Sequence, residues 1–150
     1  MKKYITLFFA VLLLAGCNIQ GQTAKEPPTV KIEADGKSYD TVLGTFCWNG
    51  KCEDYAGPVE LMKDKVTLQV KAGEKLQLKQ STTNLPTTSF LTELNSIEQG
   101  KDLPLTEDGT FTAPTQPGTY YYGYTASWRD EKKDVSIGDA QYAFALKVLP

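Results

Sequence analysis

Residues 46–53 read Phe-Cys-Trp-Asn-Gly-Lys-Cys-Glu and place an Asn-Gly pair midway between two cysteines. Asn-Gly is the strongest short signal for a β-hairpin, because both central residues of a type I′ turn need a positive φ. With Asn49 and Gly50 as the loop, Cys47 lies opposite Cys52 at a non-hydrogen-bonded position. The Cα atoms of such a pair are about 4.5 Å apart, within the range that a disulfide accepts. The sequence therefore predicts a cross-linked hairpin.

Two interpretations of this cysteine pair remain open. In the first, the disulfide is a structural staple that fixes the hairpin and orients Trp48. In the second, Cys47 and Cys52 form a thiol–disulfide exchange site. Exchange sites usually have the spacing Cys-x-x-Cys at a helix N-terminus, where the dipole lowers the thiol pKa. The spacing here is Cys-x-x-x-x-Cys on a predicted hairpin, which favours the staple.

The N-terminus has the layout of an export signal. Lys2 and Lys3 are followed by an uncharged apolar run over residues 4–14, which leads into Leu-Ala-Gly-Cys at residues 14–17. A membrane-spanning helix needs about 20 apolar residues, so this run is too short to be a stable span. Charge, length and small residues together predict a secretory signal. An ordinary signal with a buried, inert Cys17 is the alternative.

The tetrapeptide Leu-Ala-Gly-Cys resembles the lipobox of bacterial lipoproteins. In that family a diacylglyceryl group is attached to the cysteine thiol, and the signal is then cut just before the cysteine. The resemblance implies cleavage between Gly16 and Cys17 and a lipid on Cys17, whose two acyl chains suffice for stable anchoring. It implies a lipid-anchored protein at the extracytoplasmic face of the cell membrane. The signal peptide would cover residues 1–16, the lipidated N-terminus and polar tether 17–29, and the folded domain 30–150.

Composition excludes several classes of function. Lys2 and Lys3 lie in the signal, so the rest of the chain has 14 basic and 18 acidic residues and a net charge of −4. Nucleic-acid binding needs a basic surface. The chain has no His, which removes the commonest general base and transition-metal ligand. We therefore expect no nucleic acid, no metal, no cofactor and no enzymatic activity.

Two catalytic or cofactor alternatives have little support. Adjacent carboxylates such as Glu53 and Asp54 stand next to turn signals, which fits solvated loop charge better than a two-carboxylate glycosidase. The tyrosines of residues 120–124 could include an axial ligand for haem. Their alternation puts three of the four on one strand face, and core packing explains those three.

Short alternating segments separated by turn signals predict an all-β protein. Side chains alternate between the two faces of a strand, and one face of residues 119–128 carries Tyr120, Tyr122, Tyr124, Ala126 and Trp128. Residues 66–70 and 141–149 also alternate, and residues 129–139 form a polar connection. Residues 100–108 read mostly as loop, with Leu103 and Leu105 pointing inward. The pattern predicts an antiparallel β-sandwich without a helix of convincing length.

The segment Gly-Thr-Tyr at residues 118–120 resembles the tyrosine corner of immunoglobulin-like domains. In that motif the tyrosine hydroxyl bonds to the backbone of the preceding turn. The resemblance implies a structural role for Tyr120. No cysteine follows at the immunoglobulin disulfide position, which excludes an antibody-type domain.

The chain also resembles a group of small exported proteins and lipoproteins of Gram-positive bacteria that has no established biochemical function. The matching features are Gly-Thr-Phe-Cys-Trp at residues 44–48, the second cysteine, Gly118-x-Tyr120, Trp128 and Tyr142-x-Phe144. The resemblance covers residues 30–150 and implies an immunoglobulin-like antiparallel β-sandwich. The hairpin between the cysteines is shorter than in many members of the group.

These observations predict a membrane-anchored lipoprotein that acts as a non-enzymatic binding module for an unidentified protein or small-molecule ligand. The alternatives are an extracytoplasmic thiol–disulfide protein that uses Cys47 and Cys52, and a purely structural envelope component. Trp48, beside the hairpin tip, and Tyr121, which faces away from its neighbouring tyrosines, are candidate ligand contacts. Trp48 could instead fold back onto the disulfide as part of the core.

Overall fold

Residues with positive φ form tight turns and divide the chain into short strands. Asp35 and Gly36 have φ values of 48° and 71°, and Asn49 and Gly50 have values of 51° and 80°. The computed structural model describes residues 25–94 and 99–150. In chain order the elements are β1 (Val30–Ala34), β2 (Lys37–Asp40), β3 (Val42–Trp48), β4 (Lys51–Glu53), α1 (Pro58–Leu61), β5 (Leu68–Val70), β6 (Lys75–Gln80), β7 (Thr88–Leu94), β8 (Gly100–Leu103), β9 (Thr110–Thr112), β10 (Gly118–Asp130) and β11 (Val135–Val148).

The strands form two sheets that pack as a sandwich, which confirms the predicted all-β class. The smaller sheet has the order β2-β1-β6-β9, and the larger sheet has the order β4-β3-β11-β10-β7-β8. One pair departs from the antiparallel prediction, because β5 runs parallel to β11. Strand β3 pairs with β11 only as far as Ala143, which leaves the edge from Leu146 onward free for β5.

The long hairpin β10–β11 is longer than the sequence predicts. Its strands continue to Asp130 and resume at Val135, across a register shift after Trp128. Most of the expected polar connection over residues 129–139 is therefore strand, and the turn is short. The Arg129 guanidinium lies 2.6 Å from the Asp134 carboxylate and joins the two ends of this turn.

Aromatic side chains of β10 and β11 form the centre of the core. The predicted inward face of β10 is confirmed, because four side chains on it are at most 4% exposed: Tyr122, Tyr124, Ala126 and Trp128. The rings of Tyr122 and Phe144 stack with centroids 4.9 Å apart. Leu103 and Leu105 pack against this core as predicted.

One other prediction about the connections is wrong. Val66 is predicted to alternate inward with Leu68, but it is 93% exposed because β5 begins only at Leu68. Among the described residues Val66 has no pairing partner on a neighbouring strand, so the alternation seen in the sequence does not determine which way it points. Residues 104–108 are outside strands, in agreement with the prediction that residues 100–108 are mostly loop, but Gly100–Leu103 forms β8 and pairs with the outer edge of β7.

The Tyr120 hydroxyl donates a hydrogen bond to the Gln116 carbonyl oxygen at 3.0 Å, four residues earlier in the chain. This is the geometry of a tyrosine corner. The structural role predicted for Tyr120 therefore has a physical basis, since the bond fixes the turn that leads into β10.

Tyr120→Phe removes only this hydroxyl, so we expect it to lower the free energy of unfolding by about 1 kcal/mol, the usual net value of one hydrogen bond. Urea denaturation measures the difference. Tyr121→Phe is the matched control at the neighbouring position and should change stability by less than half as much. Equal effects of the two variants would contradict the role assigned to Tyr120.

The folded part of the chain begins slightly before the predicted boundary at Val30. Pro27 is buried, and the carbonyl oxygen of Pro28 accepts a hydrogen bond of 2.5 Å from the Tyr142 hydroxyl. The backbone of Thr29 pairs with Ser81. The last residues assigned to the tether are therefore fixed on the domain.

Candidate functional site

The cystine hairpin has the predicted register. Cys47 pairs with Cys52 and Trp48 pairs with Lys51. The two cysteines form a disulfide, and their Cα atoms are 4.0 Å apart. Asn49 and Gly50 supply the two positive φ angles of the turn. The prediction of a turn-directed disulfide is confirmed.

The surroundings of this disulfide fit a staple. Both cysteines lie on strands, on the face of the larger sheet that points away from the smaller sheet, and Cys52 is exposed. The one helix within residues 25–94 and 99–150, α1, has four residues and offers no dipole to stabilise a thiolate. Closing so short a loop stabilises the fold by roughly 2 kcal/mol in the chain-entropy description.

Trp48 is not an exposed ligand contact, which corrects one of the two interpretations of this residue. Its side chain is 6% exposed, and its ring meets that of Trp128 edge to face with centroids 5.0 Å apart. Strand alternation points Trp48 into the sandwich, because the outward positions beside it belong to the cystine. Trp48 is thus a core residue at the end of the larger sheet.

Tyr121 lies on the outward side of β10, as predicted, but it is half-buried. It packs with Leu61 and Val42 on a small cluster of Met62, Ala143 and Ala145. Helix α1 covers this part of the sheet, and the ring of Pro58 lies against Gly123. A ligand contact by Tyr121 remains a prediction.

An uncovered surface lies beside α1 on the same side of the larger sheet. We call it the outer face, and one row of it crosses four strands through Phe90, Thr125, Gln141 and Thr45 and ends beside the backbone of Tyr55. The register pairs Phe90 with Thr125 and Thr125 with Gln141. Gln141 stands opposite the bulge that contains Thr45, and the Thr45 hydroxyl is bonded to the backbone of Tyr55.

One end of this row is aromatic and exposed, because Phe90 is 52% exposed. Strands are about 4.8 Å apart, so the three spacings from β7 to β3 extend the row by roughly 14 Å. The shorter side chains of Thr125, Gln141 and Thr45 follow Phe90 along it. Tyr55 is 48% exposed, but its hydroxyl bonds to Glu53, the register partner of the inward-facing Phe46, so the Tyr55 ring lies at the β4 edge of the sheet. The outer face is therefore a broad polar floor with one aromatic ring at its β7 side.

Charged neighbours fix the position of the Tyr55 side chain. The Tyr55 hydroxyl donates to the Glu53 carboxylate at 2.8 Å, and Lys51 forms an ion pair with the same carboxylate. The hydrogen bond from Lys51 and then that from Tyr55 lower the pKa of Glu53 below its usual range. Glu53 consequently stays charged in more acidic solution and continues to accept the hydrogen bond from the Tyr55 hydroxyl.

Sequence reasoning missed both Phe90 and Tyr55. A signal for Phe90 was present, since Phe90 and Leu91 are consecutive apolar residues of one predicted strand and cannot both point inward. Leu91 is fully buried, which leaves Phe90 outside. No comparable signal marked Tyr55, which follows β4 in an irregular segment.

An open groove of about 590 Å³ lies between residues 26–29, Trp48, Asn49 and the loop after β6. Across the described ranges, no three cysteine or carboxylate side chains come together in an arrangement that could hold a metal ion. The same residues include no helix long and apolar enough to cross a bilayer.

Comparisons with known proteins bear on the N-terminus. Residues 1–18, which lie outside the described residues, match the family model for the prokaryotic membrane lipoprotein lipid attachment site. No curated protein and no solved structure matches the chain. The matched segment contains the whole predicted signal and Cys17. The attachment site supports a bacterial lipoprotein that is anchored to the membrane through lipid on its cysteine.

Proposed function

We propose that this lipoprotein is an extracytoplasmic, non-enzymatic binding module, and that it binds a macromolecule through the outer face around Phe90. The observation that carries the proposal is the exposure of the Phe90 ring, 52%, on a part of the larger sheet that α1 leaves open. Exposed aromatic residues on a rigid surface are typical contributors of binding energy. The cross-linked hairpin and the core beneath Phe90 hold the floor in place.

The dimensions of the face favour a macromolecule over a small ligand. Small ligands bind in concave sites that bury most of their surface, whereas the row from Phe90 to Thr45 crosses roughly 14 Å of a sheet. A protein or polymer can contact the Phe90 ring and the polar side chains beside it at once. Thr125 and Gln141 supply hydroxyl and amide groups for hydrogen bonds.

The cystine supports this function as a staple and not as an exchange site. Cys47 lies two residues from Thr45 along β3, on the same side of the strand, so the disulfide fixes the strand that carries Thr45. The chain has no His to assist thiolate formation. A redox protein and a purely structural envelope component are the competing outcomes of the test.

A photo-crosslinking amino acid at Thr88, in living cells, tests the proposal. Thr88 is exposed and lies on the same side of β7 as Phe90, so a bound partner should form one dominant adduct. Adding Phe90→Ala should lower the adduct yield about fivefold or more, which corresponds to the loss of more than 1 kcal/mol at a binding hot spot.

The matched control uses Val66, an apolar residue that is 93% exposed outside the outer face. Val66→Ala should leave the Thr88 adduct unchanged, and the crosslinker placed at Val66 should not form it. An adduct that is insensitive to Phe90→Ala, or equally strong from Val66, would contradict the proposal. A mixed disulfide on Cys47 or Cys52 in place of that adduct would favour thiol exchange.

A further inference from the structure

Four segments gather at one end of the sandwich, which we call the entry end. They are residues 25–29, the hairpin tip at Asn49 and Gly50, residues 81–87 and the turn over residues 131–134. Residues 26–29, Trp48, Asn49 and Asn84 line one groove there. Thr87 bonds to the backbone of Arg129, which places the loop beside the long hairpin.

The opposite end lies a full strand length away. Strand β11 runs from Val135 at the entry end to Val148 at the other, and the 13 steps between its residues, at 3.3 Å each, extend roughly 43 Å. Leu149 follows at the far end, bonded to the backbone of Val70. The distance between the two ends is thus greater than the thickness of a lipid headgroup layer.

The chain available to reach the membrane is short. Seven residues, 18–24, separate Cys17 from Lys25. Whatever conformation they adopt, they extend at most about 28 Å, and a flexible chain of this length has a typical span of about 16 Å. Lys25 lines a groove with Trp48 and Asn49, so this short segment joins the domain at the entry end.

The surface of the entry end is compatible with a bilayer. Residues 25–26 and 129–134 carry four basic and four acidic side chains, and two ion pairs among them join Arg129 with Asp134 and Lys133 with Asp130. Leu85 is 64% exposed and Val135 is 49% exposed. A neutral surface is not repelled by anionic headgroups, and two exposed aliphatic side chains gain from insertion among them.

We propose that the entry end is a membrane-facing surface whose partner is the lipid bilayer, so that the strands stand upright on the membrane. The proposal rests on lipid at Cys17 and on the short chain that follows it. It goes beyond the binding function, since it sets the orientation of the whole domain. With this orientation the outer face points sideways along the membrane.

Fluorescence quenching on vesicles tests the orientation. The lipidated full-length protein carries a thiol-linked fluorophore at Leu85→Cys or, as the matched control, at Leu149→Cys; the native cystine does not react. Vesicles of phosphatidylcholine and phosphatidylglycerol contain a lipid with a quencher on its headgroup. We expect at least twofold stronger quenching at position 85 than at position 149.

Flotation with the vesicles verifies anchoring of each variant, so that a failure of lipidation is distinguished from a wrong orientation. Equal quenching at the two positions, or stronger quenching at position 149, would overturn the proposal. Insertion of 20 Gly and Ser residues after Ala24 should reduce quenching at position 85 towards that at position 149. Unchanged quenching after this insertion would overturn the role of the short tether.

Discussion

Trp128→Ala is expected to lower the free energy of unfolding by about 3–5 kcal/mol, the range for removal of a buried aromatic side chain. Trp128 is 1% exposed and meets Trp48 edge to face. Its indole N–H donates to the Asn84 carbonyl oxygen at 3.0 Å. The variant therefore leaves a cavity, an unsupported Trp48 and an unpaired carbonyl at the same place. Urea denaturation of the soluble domain measures the loss.

Two further variants show which part of Trp128 matters. Trp128→Phe keeps most of the apolar contact but loses the hydrogen bond to Asn84, so we expect an intermediate loss. Phe90→Ala removes an aromatic ring that is 52% exposed and should cost less than half as much as Trp128→Ala. A Trp128→Ala variant as stable as Phe90→Ala would show that the packing at the entry end is not part of the core.

Cys17→Ala is expected to abolish lipid attachment completely, because no other atom of the attachment site can form the thioether. Metabolic labelling with an alkyne fatty acid measures the modification, and cell fractionation follows the protein out of the stable membrane fraction. The sequence match over residues 1–18 supports this expectation.

The matched control for Cys17→Ala changes the other two cysteines together. Cys47→Ala with Cys52→Ala removes the disulfide and should leave the fatty-acid label unchanged. Persistent label on Cys17→Ala would place the lipid elsewhere and overturn the anchor. Loss of label in the control would show instead that the folded hairpin is needed for export.

The cystine hairpin could be predicted because its information is local. Asn49 and Gly50 determine the turn, and the turn determines that Cys47 faces Cys52. The inward face of β10 could be predicted for a similar reason, since alternation needs only the strand itself. The hydrogen bond of the Tyr120 hydroxyl is also local, because its acceptor, the Gln116 carbonyl oxygen, lies only four residues earlier.

The environment of Trp48 could not be predicted in this way. The segments that cover it, residues 26–29 and the loop after β6, come from opposite directions along the chain. The parallel pairing of β5 with β11 also depends on residues far away in the sequence, because it requires the pairing of β3 with β11 to end at Ala143. The outer-face row is missing from the sequence pattern because it runs across strands, through residues as far apart as Thr45 and Gln141.

The edges of the larger sheet affect how many copies can share a membrane. Lipid anchoring confines molecules to a plane, and in the upright orientation proposed above neighbours meet side by side with their sheet edges exposed. The edge strand β4 has three residues and carries Lys51 and Glu53, and β8 has four and carries Lys101 and Asp102. Short, charged edges resist strand addition between molecules. Even at high density in the membrane, molecules of this lipoprotein should therefore not aggregate edge to edge.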